Sequence, residues 1–203
     1  MVRGSRSSYR VTNEDVVRLA GGYVDRISPD GELKWPLRME LHHALGGVTP
    51  DDSWHSYLRL SAACAVKAWP VWRERFDELL PFAAPVTGST PERPQLVLAS
   101  DTVQLNQLAT FLDNRMRTGP GTFPAVAAGL ACWATNRDVL RGELALPDGA
   151  DEGDVDSEDW EASYFASIAI AGGAIWEEAG KPALRRAFWI WYLREAVPVS
   201  YGV

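Results

Sequence analysis

Apolar residues return every three or four positions along most of this chain, and Gly and Pro interrupt them at intervals that suit helices. Thr12-x-x-Asp15 reads as a capping box that opens a segment running to about Ile27. A second segment, Pro36–Leu45, should stop at Gly46-Gly47. Thr49-Pro50-Asp51-Asp52 supplies an N-cap, a proline for the first helical position and acids for the first turn. Beyond it Trp54, Tyr57, Leu58, Ser61, Ala62, Ala65 and Trp69 fall on one broad face, and Pro70 should kink or end the helix before a second piece, Val71–Leu80.

Pro81, Pro85, Pro91 and Pro94 surround Thr87-Gly88-Ser89-Thr90 and make 81–93 a loop. Pro94 can start the next helix, to about Arg117, which Gly119-Pro120-Gly121 breaks. Pro124 opens another over Ala125–Gly142, where Ala127, Ala128, Gly129, Ala131 and Ala134 imply close approach of a neighbouring backbone. An acidic loop at about 144–157 follows, and Ser157 then caps a long helix to Ala179, with Gly180 ending it. Within that helix Gly172 and Gly173 cost about 1 kcal/mol each relative to Ala, and tight packing on Phe188 or Trp189 is the expected compensation. Lys181-Pro182 is a short corner, so the last two helices should pair antiparallel.

The final segment, Pro182–Pro198, is apolar on nearly every azimuth. Leu184, Phe188, Trp191 and Tyr192 share one face, while Trp189, Leu193 and Val197 occupy another, so it must be covered from two sides. Leu96–Ala99 is the one β-like tetrad and is too short for a sheet. The expected fold is all-α: about seven helices in one domain over 1–203, arranged as an antiparallel bundle in which three successive Ala-rich helices could mimic a repeat.

The length of 203 residues suits one core that buries roughly 70% of the unfolded surface. Net charge is −7, and Asp148, Asp151, Glu152, Asp154, Asp156, Glu158 and Asp159 lie in one run without Lys or Arg. Such a patch steers basic partners in and repels nucleic acid and anionic lipid, so nucleic acid and membrane are excluded as expected partners. Cys64 and Cys132 sit in apolar helical patterns as free thiols. Met1–Asp15 has no apolar signal-peptide core, and the longest nearly apolar run, Phe165–Trp176, is short of the roughly 20 residues of a membrane span; a cytoplasmic location is expected.

Candidate chemistry is thin. Glu40-x-x-His43 has the spacing of a di-metal helix, but the chain has only His42, His43 and His55, and a capping or surface-facing His pair is the simpler reading. Asp51-Asp52 beside His55 reads as helix-start acids rather than a metal cluster. Asp154-x-Asp156-x-Glu158 lacks the glycine of a calcium loop, Asp159 standing in its place. Cys64 and His55 lie about 13.5 Å apart along one helix at 1.5 Å per residue and cannot form a nucleophile and base. No P-loop, dinucleotide fingerprint, nucleophile elbow or zinc-protease motif occurs. No cofactor, metal or catalytic residue is assigned.

Glu177-Glu178 abuts Trp176 at the end of a very apolar helix, where acids sit poorly with the negative helix end and should seek Arg185 and Arg186 across the corner. A partner-binding role is the other reading of the same residues. Glu195 and Arg194, amid aromatics, are expected to be internally paired or at an interface edge.

Cys64-Ala65 leading to Pro70-Val71-Trp72, Arg93-Pro94, and Arg185-Arg186-x-Phe188-Trp189-x-Trp191-Tyr192-Leu193 with Ala196-Val197-Pro198 together resemble the Imm5-type immunity proteins of bacterial polymorphic toxin systems. The resemblance spans about residues 55–198. The acidic run and Gln104-Leu105-Asn106-Gln107 have no counterpart in the family pattern. The resemblance implies a cytoplasmic, non-enzymatic antitoxin that binds and neutralises a cognate protein toxin. Asp151, Glu152, Asp154, Asp156, Trp176, Glu177, Glu178, Arg185 and Arg186 are the candidate partner-binding residues. An all-α enzyme with an unrecognised, metal-dependent site, or a helical scaffold for another partner, are the competing readings.

Overall fold

The computed structural model describes residues 12–48, 53–142 and 155–202. Its helices are α1 (Asn13–Gly21), α2 (Trp35–Val48), α3 (Ser53–Arg75), α4 (Thr102–Met116), α5 (Phe123–Arg141), α6 (Ala162–Ala171), α7 (Pro182–Trp191) and α8 (Val197–Tyr201). A π-turn at Tyr192–Ala196 joins the last two into one rod, which makes seven helical rods among the described residues. The fold is all-α. Two isolated antiparallel bridges, Pro85 with Leu96 and Thr90 with Arg93, are the β pairing of the described residues.

Helices α3, α5 and α6 pack on one another at the centre. Helix α4 covers α5, α7 covers α6, and α1 closes the other side against α2 and α8. Small residues permit the central approach: a Cβ on Gly129 would meet Leu112 Cδ2 at 2.5 Å and the Trp72 ring at 3.1 Å. The stripe Ala127, Ala128, Ala131 and Ala134 is buried beside it, as its sequence implied.

Local signals decide most helix ends. The Thr12 hydroxyl accepts from Asp15 N–H while the Asp15 carboxylate accepts from Thr12 N–H, a complete capping box. Gly142, at φ 74°, ends α5 in the left-handed conformation that glycine adopts without penalty. The Thr49–Asp52 helix start and the acidic run before Val155 lie outside the described residues.

Several boundaries depart from the sequence reading. Pro70 sits inside α3, which runs unbroken to Arg75 rather than restarting toward Leu80; Ala63, Cys64, Ala65, Ala68 and Trp72 are buried on both sides of it, and packing outweighs the one lost backbone bond. Helix α2 continues past Gly46-Gly47 to Val48. Residues 94–101 are not helical: Val86 N–H bonds Gln95 O and Val97 N–H bonds Ala84 O, and α4 begins only where Asp101 caps it through Gln104 N–H.

The helix expected from Ser157 to Ala179 is a 3₁₀ turn, Ser157–Asp159, followed by the much shorter α6. Gly172, at φ 77°, stops α6, so Gly172-Gly173 is a terminator and not a helix interior. A Cβ on Gly173 would meet Glu177 Oε2 and Gly180, not Phe188 or Trp189, which overturns the packing assigned to it. In the final rod Phe188, Trp189, Trp191, Tyr192, Leu193 and Val197 are all buried, as two-sided coverage requires, although Leu184 is exposed. The π-turn precedes Pro198, which has no N–H to donate to the preceding turn; Val197 N–H bonds Tyr192 O, five residues back.

Candidate functional site

Charged residues divide into an interior seam and an exposed face. The seam is built from α2, the 28–33 turn, the start of α6 and the first turns of α7. On α2, Trp35, Arg38, His42 and Leu45 follow helical spacing and are all buried, so two polar side chains ride on an apolar stripe. Arg38 Nε donates to Glu161 Oε2 at 2.6 Å, and His42 Nε2 donates to Glu161 Oε1 at 2.8 Å. Arg38 Nη1 donates to Leu33 O at 2.6 Å and, more weakly, to Glu32 Oε1 at 3.5 Å. The guanidinium lies over the rings of Trp35, Tyr164 and Trp189, with centroids at 5.4, 4.9 and 5.4 Å.

Burial alone would push the Glu161 carboxyl up, but the Arg38 charge and the His42 hydrogen bond outweigh it and hold the group down to about 2. The carboxylate is therefore ionised and acceptor-only, which places a proton on His42 Nε2. Glu32 is fully buried between two cations, with its Oε2 3.5 Å from Arg185 Nε. Nearby, Tyr57 donates to Asp138 Oδ2 at 3.0 Å, and Arg137 pairs with the same aspartate at 2.7 Å. Burial, followed by the Asp138 and Glu161 charges, raises the Tyr57 hydroxyl well above its ordinary range. These groups are closed on themselves and present no reactive atom to solvent.

The thiols are equally shut in. Cys64 and Cys132 are buried and free, and burial pushes Cys132 up to about 12. No cluster of three or more His, Cys, Asp or Glu side chains suited to a metal ion occurs among the described residues. Glu40 instead takes a bidentate contact from Arg26, both bonds 2.8 Å, and His43 is exposed. His42 is not the surface-facing residue the sequence suggested: it is 2% exposed and committed to Glu161.

The candidate partner-binding residues fall into three groups. Asp151, Glu152 and Asp154 lie outside the described residues. Arg185 is only 2% exposed; its guanidinium donates to Gly173 O at 2.7 Å and Asp30 O at 3.1 Å, and Arg186 donates to Ile27 O at 3.1 Å. Neither arginine meets the expected Glu177-Glu178 pair. Glu177 turns back to accept from Ala174 N–H at 2.7 Å, fixing the turn after α6. Asp156, Trp176 and Glu178 are exposed.

These three extend a face the sequence only partly marked. Trp176 is 60% exposed and its ring centroid lies 6.0 Å from that of Trp160, which packs in turn on Tyr164 and Phe165. Asp156 caps the 157–159 turn through Glu158 N–H, and Arg137 grips that turn from below through the Glu158 and Trp160 carbonyls. The turn is thus anchored while its Glu158 side chain points outward; Glu158 and Glu178 form no ion pair among the described residues. Arg194 and Glu195 are exposed as well, at the edge of a hollow with Pro91, Glu92 and Trp191.

Part of this arrangement is similar to a known protein family. Residues 99–199 match Immunity protein Imm5. The Imm5 match takes in α4 to α7, the π-turn and the start of α8, and with them Trp160, Glu161, Trp176 and the aromatic rod. It leaves out Arg38, His42 and all of α1 to α3, together with Cys64-Ala65, Pro70-Val71-Trp72 and Arg93-Pro94, three of the stretches that carry the resemblance. The Arg185–Pro198 stretch falls inside it. No curated protein matches the chain. Among the described residues no helix is long and apolar enough to cross a membrane.

Proposed function

We propose that this chain is a cytoplasmic antitoxin that binds a cognate protein toxin and neutralises it by occlusion. The Imm5 match over residues 99–199 carries the reading, because that family name denotes immunity proteins. The exposed face adds physical support. An exposed indole packed on Trp160, with the Asp156 and Glu158 carboxylates on the turn that Arg137 holds and no ion pair to either among the described residues, combines an aromatic anchor with charge that attracts a basic surface. Asp151, Glu152 and Asp154 belong to the same acidic run by sequence, and we include them with Asp156, Trp176 and Glu178 in the partner-binding set. Glu177 and Arg185 act behind this face by fixing the 172–181 turn, and Arg186 ties α7 to the Ile27 carbonyl.

The test is survival of bacteria that express any toxin-like domain encoded beside this gene, with and without this chain, together with co-purification of the two proteins. Rescue with a stable complex is expected. Normal growth in the absence of this chain, or killing in its presence with no complex formed, contradicts the reading.

A further inference from the structure

We propose that the groove between α4, α5 and the 157–160 turn seats an apolar side chain of the partner protein that is flanked by a lysine or arginine. The inference rests on the antitoxin reading and specifies where and how the toxin docks. The groove has a volume of about 340 Å³, at the lower end of the range for cavities that enclose small ligands. Leu112, Met116, Phe123, Leu130, Trp133 and Trp160 form its walls. Apolar walls select an apolar occupant, and the flexible Met116 thioether allows the fit to adjust.

Charge at the rim selects the rest of the occupant. Asp113 stands on the α4 side and Glu158 on the side of the turn. Asp113 meets Arg117 at 2.8 Å, but both side chains are exposed, and such a pair is worth little against a desolvated partner. Glu158 has no cation among the described residues. Of the acids on the described part of this turn, Asp159 is taken by Arg141 at 2.9 Å, which leaves Glu158 to face the groove. An anionic flank on the partner would be repelled, whereas a cationic one gains from both sides. Trp160 joins the groove to the exposed Trp176, so the two form one continuous surface. Every residue lining the groove falls between 109 and 165, inside the Imm5 match.

Binding of the toxin-like domain encoded beside this gene, followed by calorimetry, separates the outcomes. Ala109→Phe fills the groove from α4, Asp113→Lys reverses the rim charge at an exposed position, and Val103→Ser alters an exposed α4 residue that does not line it. Ala109→Phe and Asp113→Lys are each expected to weaken binding about tenfold or more, with Val103→Ser unchanged. The indole N–H resonances of Trp133 and Trp160 should shift on complex formation. Should Ala109→Phe fail to fold, Asp113→Lys and the indole shifts decide the matter. Wild-type affinity in both groove variants with unmoved indole resonances would overturn the groove while leaving the antitoxin reading intact. Absence of any complex with the unaltered chain would overturn both. Self-association of the unaltered chain that Ala109→Phe abolishes would assign the groove to a second copy and overturn the proposed occupant.

Discussion

The interior seam and the exposed face use the same residue types to opposite ends. Around Arg38, each charge has a countercharge or hydrogen bond within a buried interior: Glu161 lies at 2.6 Å, Glu32 at 3.5 Å, and Arg185 closes the far side. Around Trp176, Asp156, Glu158 and Glu178 face water and make no ion pair among the described residues. A buried charge is costly unless paired, so the seam can lose no member without leaving an orphan. An exposed charge is cheap and easily screened, so the face can change composition without disturbing the fold. The contrast separates residues that hold the bundle from residues free to meet a partner.

The largest expected effect comes from breaking the seam. Glu161→Gln leaves Arg38 short of its principal partner and should cost about 3–5 kcal/mol in thermal or urea unfolding. A loss below about 1 kcal/mol would mean the seam is not the fold's anchor. The same carboxyl governs the acid limb. Because its folded value is depressed to about 2 from an ordinary 4.5, its contribution is complete above about pH 4.5 and is lost as pH falls toward 2. Urea midpoints measured across that window should fall more steeply for the unaltered chain than for Glu161→Gln.

Gly31→Ala comes next. Gly31 holds φ at 84° and its Cβ would run into the Pro182 carbonyl, so the turn that carries Glu32 to Arg185 should lose about 2–3 kcal/mol. A neutral result in denaturant unfolding would show that this turn yields. Trp176→Ser sharpens the contrast from the other side. Stability should stay within about 0.5 kcal/mol of the unaltered chain, while affinity for the proposed toxin partner falls by about 2 kcal/mol. The smallest effect is kinetic: joint replacement of Asp151, Glu152, Asp154 and Asp156 by Asn should slow association a few-fold, about what loss of steering gives, and flatten its salt dependence. Unchanged stopped-flow rates would remove steering from the account.

The parts of this architecture that depend on nearby residues were legible in the sequence. Thr12 and Asp15 announce their capping box, Gly142 announces the end of α5, and the Ala/Gly stripe around Gly129 announces close packing. The all-α class follows from the same short-range signals. The parts that depend on distant partners were hidden. Glu161 and Arg38 are 123 residues apart, and nothing local tells a helix-start acid from one committed to a buried guanidinium. One signal was available: Arg38 and His42 interrupt the stripe of Trp35 and Leu45, and polar residues on an apolar stripe must be paired inside.

The Gly172-Gly173 misreading has a different origin. Apolar residues continue on both sides, so periodicity carries the helix through, whereas the left-handed φ at Gly172 is a tertiary choice that frees Gly173 O to accept from Arg185. Of the proposed binding face, the sequence singled out Asp156, Trp176 and Glu178 but not the groove. Its walls come from two helices and a turn that only the fold brings together.

Amide hydrogen exchange, measured on this chain alone and in complex with the toxin-like domain, tests the division of labour most directly. The account predicts that binding slows exchange in the 157–160 and 174–178 turns and along the groove side of α4, while the seam helices, already protected, change little. Protection centred instead on the Arg26–Glu40 surface of α2, with the Trp176 turn unaffected, would contradict it.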